Sequence, residues 1–329
     1  MTPAAQREVM QLPIVRPQKP APGPQLPSLI AAERAHLATL QLRHGAILFR
    51  GFAVTEPAQL ADAIAAAGEA PMRYVGGSSP RTRIGQRVYT STQLPPQIRI
   101  PLHSELAYVN AYPRHLWFCC AVPPAVGGET VLADARQVYR AIDPLVRRRF
   151  IARRVRYRCS FHGPSAWFRL LDQVHKVTRS WMEAFETTDA AIAEARCREL
   201  GADVHWLASG RLVMEIVRPA AISHPETGEP LWFNFAHLFR LNPRYLGQLR
   251  YRLAQLFFVD RETRTQDAHY GDGSEIDGAT IDHLFDVLDA QTVSFPWQRG
   301  DVLWIDNLLC MHGRNPFRGP RRVLAAMSR

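Results

Sequence analysis

Three residues of this chain could hold one metal ion: His103 and Glu105, separated by Ser104, and His312 far downstream. On a β-strand, residues i and i+2 point to the same face, so a strand through His-Ser-Glu aims both donors at one ion and turns Ser104 away. Two imidazoles and a carboxylate occupy one face of an octahedral ion and leave positions open, as non-heme Fe(II) needs to meet a co-substrate and O2. An HxE triplet alone is common by chance, and a lone buried histidine is more often structural than a ligand. The residues downstream shift that balance. Arg322 follows His312 by ten residues, across an Arg318-Gly319-Pro320 turn. A buried guanidinium there can grip a carboxylate with two parallel hydrogen bonds, which lysine cannot reproduce. Arg321 points the other way on a strand and reads as solvated surface charge. Thr130, after Gly127-Gly128-Glu129, offers a hydroxyl to the same carboxylate.

The elements that must position these groups are short strands with helices outside them. Gly300-Asp301 makes a turn and Val302–Ile305 a buried strand, and His312 lies on the stretch that follows. Ala46–Phe49, Val88–Thr90, Leu116–Val122, Thr130–Leu132, 212–217, 231–235, Thr292–Phe295 and Val323–Met327 also read as strands. Residues 153–161 alternate, with Val155, Tyr157, Cys159 and Phe161 on one face and Arg154, Arg156, Arg158 and Ser160 on the other. That pattern predicts a half-buried strand with a basic outer face. Helices are expected from a Ser28 cap to near Gly45, at Pro57 to Ala67, from an Asp134 cap to Phe150, and near 181–200, 243–257 and 278–290. Prolines at 13, 17, 20, 22, 24 and 27 suit an extended arm over residues 1–27. The remainder, 28–329, reads as one mainly β domain with flanking helices, its sheet closed on itself or folded as a jelly roll.

Several runs together resemble the taurine dioxygenase family of Fe(II)/2-oxoglutarate oxygenases. They are His103-x-Glu105, Gly127–Thr130, the run from His312 to Arg322, and the early His44–Phe52. The resemblance spans about residue 28 to the end. It implies a double-stranded β-helix core, with iron held by His103, Glu105 and His312. It also implies 2-oxoglutarate chelating that iron, with its distal carboxylate on Thr130 and Arg322. Two departures matter. Most members carry aspartate where Glu105 stands, and Ala326 replaces the second arginine with which the taurine enzyme holds its sulfonate. Taurine is therefore a poor substrate choice. Val75–Arg83, Leu102–Tyr108 and Ile305–Asn307 are similar to the branch of clavaminate synthase and the syringomycin-pathway aspartyl hydroxylase. Some enzymes of that branch act on amino acids tethered to a carrier protein.

Bulk properties are compatible with this reading. The 329 residues carry 40 Lys+Arg against 30 Asp+Glu, a formal charge of +10 that favours an acidic partner without naming it. An acidic carrier protein fits, though the arginine-rich balance equally suits genomic base bias. No apolar run reaches the ~20 residues of a membrane span. No signal-peptide pattern opens the chain, and five cysteines without a CxxC pair suit a reducing cytoplasm. The basic run Arg147–Arg158 lacks any nucleic-acid-binding motif. The acidic loop Asp267–Asp277 does not match a calcium loop. His162, His175, His205, His224 and His237 have no ligand-like spacing. Substrate contacts are expected from 74–83, 106–112 and Arg240. The expected activity is hydroxylation of a small amino-acid-derived substrate, free or carrier-bound, using Fe(II), 2-oxoglutarate and O2. Desaturation or ring closure by the same cofactors is an alternative, as is a non-catalytic β-barrel that binds an acidic partner.

Overall fold

The computed structural model describes residues 10–17, 25–77, 81–85, 87–92, 94–164, 179–257 and 264–329. Three sheets of four or more strands organise them. A six-stranded sheet runs in the order Ile14–Val15, Ala46–Phe49, Val302–Asp306, His115–Val122, Arg322–Ser328 and Val88–Thr90. Only its first pair is parallel. A four-stranded antiparallel sheet has the order Val293–Phe295, Thr130–Asp134, Cys310–Arg314 and Ile100–His103. These two sheets face each other, since the Phe118 ring of the first lies 5.3 Å from the His312 ring of the second. The third comprises Gln266–Tyr270, Val155–Phe161, Leu212–Arg218 and Asp203–Trp206.

The central strands of the large sheet are apolar on both faces because each face meets a core. Phe118, Cys120, Ala325 and Met327 point inward, toward the small sheet. Trp117, Cys119, Leu324 and Ala326 point outward, under Leu26, Ile30, Leu37, Leu60 and Ile64 of the N-terminal helices. Trp117 stacks on Trp304 there, with centroids 4.7 Å apart and planes at 15°. Burying side chains of this size contributes roughly 2–3 kcal/mol each. At the sheet's corner Arg50 grips the fully buried Asp301 with two hydrogen bonds of 3.0 and 2.7 Å.

Local chemistry moves several expected boundaries. The first helix begins at Gln25, so Ser28 lies inside it and not at its cap. A second helix, Arg34–His44, ends on Gly45, whose φ of 75° lets its N–H turn back to the Gln41 carbonyl. Asp134 does cap a helix, accepting from the Arg136 N–H, but that helix stops at Ala141. Pro144 cannot donate into it and starts a new one, Pro144–Arg153, capped by Asp143. Gly247 likewise separates Pro243–Leu246 from Gln248–Phe257. The Val155–Phe161 strand buries the expected face, but its basic face is not bare. Arg158 is buried, and Arg156 and Arg158 stand 3.6 and 3.5 Å from Glu215. All five cysteines are buried and unbridged. No helix among the described residues is long and apolar enough to cross a membrane.

Candidate metal centre and its anion pocket

Antiparallel pairing of Ile100–His103 with Cys310–Arg314 sets His103 directly opposite His312. Such partners start with Cβ atoms about 4.5–5.5 Å apart, and here the ring centroids are 4.3 Å apart. Glycine at 313 is required by the same pairing. A Cβ there would stand 2.5 Å from the Ile100 carbonyl oxygen and 2.9 Å from Val131 Cγ2.

Glu105 reaches the two rings by a different route from the one its spacing suggests. The strand ends at His103, and Glu105 opens a turn in which Leu106 takes φ 55°. That left-handed conformation is costly for leucine, and the buried side chain of Asn307 offsets it. Asn307 Oδ1 accepts from the Glu105 N–H at 2.7 Å, while Nδ2 donates to the Glu105 and Pro113 carbonyls at 3.0 and 2.9 Å. Asn307 is itself fixed by the turn after Asp306, whose buried carboxylate accepts from the Leu308 and Leu309 N–H groups and meets Arg114.

The result is a buried cluster in which His103, Glu105 and His312 each offer a ligand atom within 4.8 Å of the others. Its chemistry fits a divalent ion. His103 Nδ1 donates to the Pro101 carbonyl at 2.9 Å, which leaves Nε2 with its lone pair. Desolvation holds the His103 pKa below the ordinary histidine value despite Glu105 nearby. For His312, burial, His103 and Arg81 push it well below. Both rings are therefore neutral at neutral pH, the form that binds metal. His237 supports from behind, donating Nε2–H to the Leu102 carbonyl at 2.8 Å and packing on Phe285. Phe235 stands edge-on to His103 at 5.1 Å and begins an aromatic wall that continues through Tyr108 and Phe239.

Beside the cluster is a pocket partly open to solvent. Arg81, Phe118, Thr130, His103, His312, Arg314 and Arg321 line it. Thr130 is directly opposite Arg314 across the ladder. Its hydroxyl accepts from Trp297 Nε1 at 3.2 Å, so its own hydrogen can point into the pocket. Arg321 donates to the Gly128 carbonyl at 3.1 Å and the Ser91 hydroxyl at 3.2 Å. Arg314 donates to the Pro95 and Ile98 carbonyls at 3.0 and 2.9 Å. Neither guanidinium meets a carboxylate among the described residues, and burial pulls both pKa values down to about 10. Arg314 is buried and Arg321 half-buried, and two cations sharing one pocket can receive an anion.

Arg322 is not part of it. It is exposed, and its charge is felt by Cys119 on the outer face of the large sheet, whereas Arg321 is felt by Cys120 on the inner face. The alternation of the strand is as expected, but its sense is the reverse: Arg321 points in and Arg322 out. Arg314, two residues after His312 on the same strand, necessarily shares its face. That spacing is visible in the sequence, although Arg314 is not among the residues expected at the site.

The remaining candidates lie elsewhere. Arg240 pairs with Asp267 at 3.4 Å and with Glu275, and does not line the pocket. The acidic loop is partnered by arginines in the same way, with Asp272 2.8 Å from Arg153. His224 is buried against Arg114 and Asp306, and His175 lies outside the described residues. Of the stretches expected to meet substrate, 74–83 supplies Arg81 and 106–112 supplies Tyr108. Arg81 donates to Glu105 Oε2 at 2.5 Å and sits 4.6 Å over the Tyr74 ring.

Comparison with known proteins agrees with this geometry. Residues 11–327 match the family described as taurine catabolism dioxygenase TauD, TfdA family. The dapdiamide synthesis protein DdaC of Enterobacter agglomerans is 34% identical over 283 residues, 86% of this chain and 82% of that one. A clavaminate synthase-like protein of Arabidopsis thaliana is 32% identical over 317 residues, 94% of this chain and 89% of that one. Among solved structures, PvcB of Pseudomonas aeruginosa is described as an Fe, alpha-ketoglutarate dependent oxygenase from an isonitrile synthetic pathway. It shares the fold with a TM-score of 0.54 at 16% identity, over 98% of this chain and 87% of that one. The buried His-Glu-His cluster beside an anion pocket thus sits in a chain that belongs, over nearly its whole length, to the TauD, TfdA family of dioxygenases.

Proposed function

We propose that this chain is an Fe(II)/2-oxoglutarate-dependent oxygenase that hydroxylates an amino-acid-derived substrate in secondary metabolism. One observation carries the reading: His103 and His312 of the three-donor cluster line a pocket with Thr130, the buried Arg314 and the half-buried Arg321, and neither arginine meets a carboxylate among the described residues. His103, Glu105 and His312 would hold the iron. Arg321 and Thr130, with Arg314 adding positive potential, would hold the distal carboxylate of 2-oxoglutarate. When bound, iron and 2-oxoglutarate supply, with O2, the decarboxylation to succinate and CO2 and the oxidant for a C–H bond. The chain's own share is placement and exclusion of water. Phe118 and Phe235 dry the space around the two histidines, and Tyr108 and Phe239 extend the apolar wall. The two facing sheets support a double-stranded β-helix core. The relative named for dapdiamide synthesis supports a role in secondary metabolism. The charge of +10 suits a substrate carried on an acidic protein.

The test is an anaerobic titration of the protein with Fe(II) and 2-oxoglutarate, followed by the weak visible band of a chelated keto acid. A band that requires both components and is absent in His312→Ala is the expected result. Iron that fails to bind would end the oxygenase reading.

A further inference from the structure

Arg81 has an arrangement that the metal and co-substrate sites do not explain. Its side chain is only 4% exposed, yet its sole carboxylate partner among the described residues is Glu105. The oxygen it holds, Oε2, is also the one that faces His312 Nε2, at 3.8 Å. One carboxylate oxygen therefore serves both the guanidinium and the locus enclosed by the three metal donors. A divalent ion placed there takes that oxygen and repels the guanidinium. Arg81 Nε is moreover buried without a hydrogen-bond partner. A desolvated cation deprived of its carboxylate needs another anion within reach, and Arg81 lines the same pocket as the donors. The distal carboxylate of the co-substrate already has Arg321 and Thr130.

We infer that Arg81 is a specificity-determining residue which exchanges Glu105 for a carboxylate on the substrate, held beside the metal against the Tyr74 ring. This rests on the oxygenase reading and narrows its substrate class to molecules carrying a free carboxylate.

Two measurements test it. In the first, Mn(II) alone is titrated into the wild type and Arg81→Gln. Losing the competing cation should tighten Mn(II) binding about 10-fold or more, the loss of a buried pair costing upward of ~1.4 kcal/mol. Weaker binding would make Arg81 a mere support for Glu105 and overturn the inference. In the second, the anaerobic Fe(II)–2-oxoglutarate complex is titrated with L-amino acids and their carboxamide counterparts, watching for a shift of the visible band. The inference expects a carboxylate ligand to shift the band in the wild type, its carboxamide to fail, and Arg81→Gln to bind it about 30-fold or more weakly. Arg81→Lys should recover part of that loss, with 2-oxoglutarate affinity changed less than about threefold. A wild type that responds to no carboxylate, an unchanged response in Arg81→Gln, or a loss confined to 2-oxoglutarate would each overturn it. If the wild type gives no band at all, the oxygenase reading fails, and the Mn(II) titration alone decides whether Arg81 competes for Glu105.

Discussion

Adjacent arginines that point to opposite faces of one strand make a sharp test of where the co-substrate binds. Arg321 spends Nε on Gly128 and Nη1 on Ser91, and it lines the pocket. A carboxylate bound there is desolvated together with its partner, so removing the guanidinium should cost about 2–5 kcal/mol, or about 30- to several-thousand-fold in affinity. Arg322 is solvated, and a surface charge of this kind is worth at most ~1 kcal/mol, about fivefold. Anaerobic titration of 2-oxoglutarate into Fe(II)-loaded Arg321→Met and Arg322→Met should therefore separate the two by about sixfold or more. Methionine keeps part of the aliphatic stem while removing the guanidinium that lies 5.5 Å over the Phe317 ring. A second signature distinguishes binding from folding. Burial pulls the Arg321 pKa down to about 10, so in the ligand-free protein the charge opposes folding, and this offsets the loss of its two hydrogen bonds. The melting temperature of Arg321→Met without ligand should stay within about 4 °C of the wild type. Equal losses of affinity in the two variants, or a larger loss in Arg322→Met, would refute the placement.

Two further outcomes follow from groups behind the metal donors. Asn307→Ala strands the Glu105 N–H and the Glu105 and Pro113 carbonyls, each costing about 1–3 kcal/mol. Chemical denaturation should show a loss of roughly 3 kcal/mol or more, and Fe(II) affinity should drop about 10- to 100-fold; native affinity would mean that Glu105 is held by other contacts. His237 supplies a pH dependence. Unfolded, it takes up a proton near 6.5, but in the folded protein desolvation lowers its pKa to about 4. Below 6.5 the unfolded chain binds the extra proton, so stability falls as pH drops from about 6.5 to 4, by about 3 kcal/mol in all. Urea unfolding across that window should show the slope in the wild type and a shallower one in His237→Gln; parallel slopes would refute it.

The metal donors were legible because the sequence pairs a local signal, His103-x-Glu105, with a distal one at His312. The arginine was half legible. Strand alternation separates Arg321 from Arg322, but the residues that follow, Val323 to Met327, are apolar at every position. The strand lies between two cores, so hydrophobic periodicity has nothing to report about which side is which. The route of Glu105 departs from the spacing rule for a different reason. The i, i+2 rule applies within a strand, and this strand ends at its first donor, His103; Glu105 lies in the turn beyond, where Leu106 is left-handed and Asn307, about 200 residues away, holds the backbone. Arg314 could have been read from its spacing to His312. Arg81 could not, since nothing local in Val75–Arg83 says that its guanidinium will meet a carboxylate on another loop. The helix breaks at Pro144 and Gly247 were visible as residues, but were smoothed over by the apolar pattern around them.

The parallel pairing of Ile14–Val15 with Leu48–Phe49 has a consequence for the behaviour of the protein in solution. Without it, Ala46–Phe49 would end the large sheet with unpaired backbone, and Leu48 N–H and Arg50 N–H would lose the Pro13 and Val15 carbonyls. Such a raw margin invites strands from other molecules. The segment that covers it is bounded by Pro13 and Pro17, which have no N–H to offer a further strand. It seals the margin without creating another of equal reach, so these few N-terminal residues guard against aggregation while lying outside the catalytic apparatus.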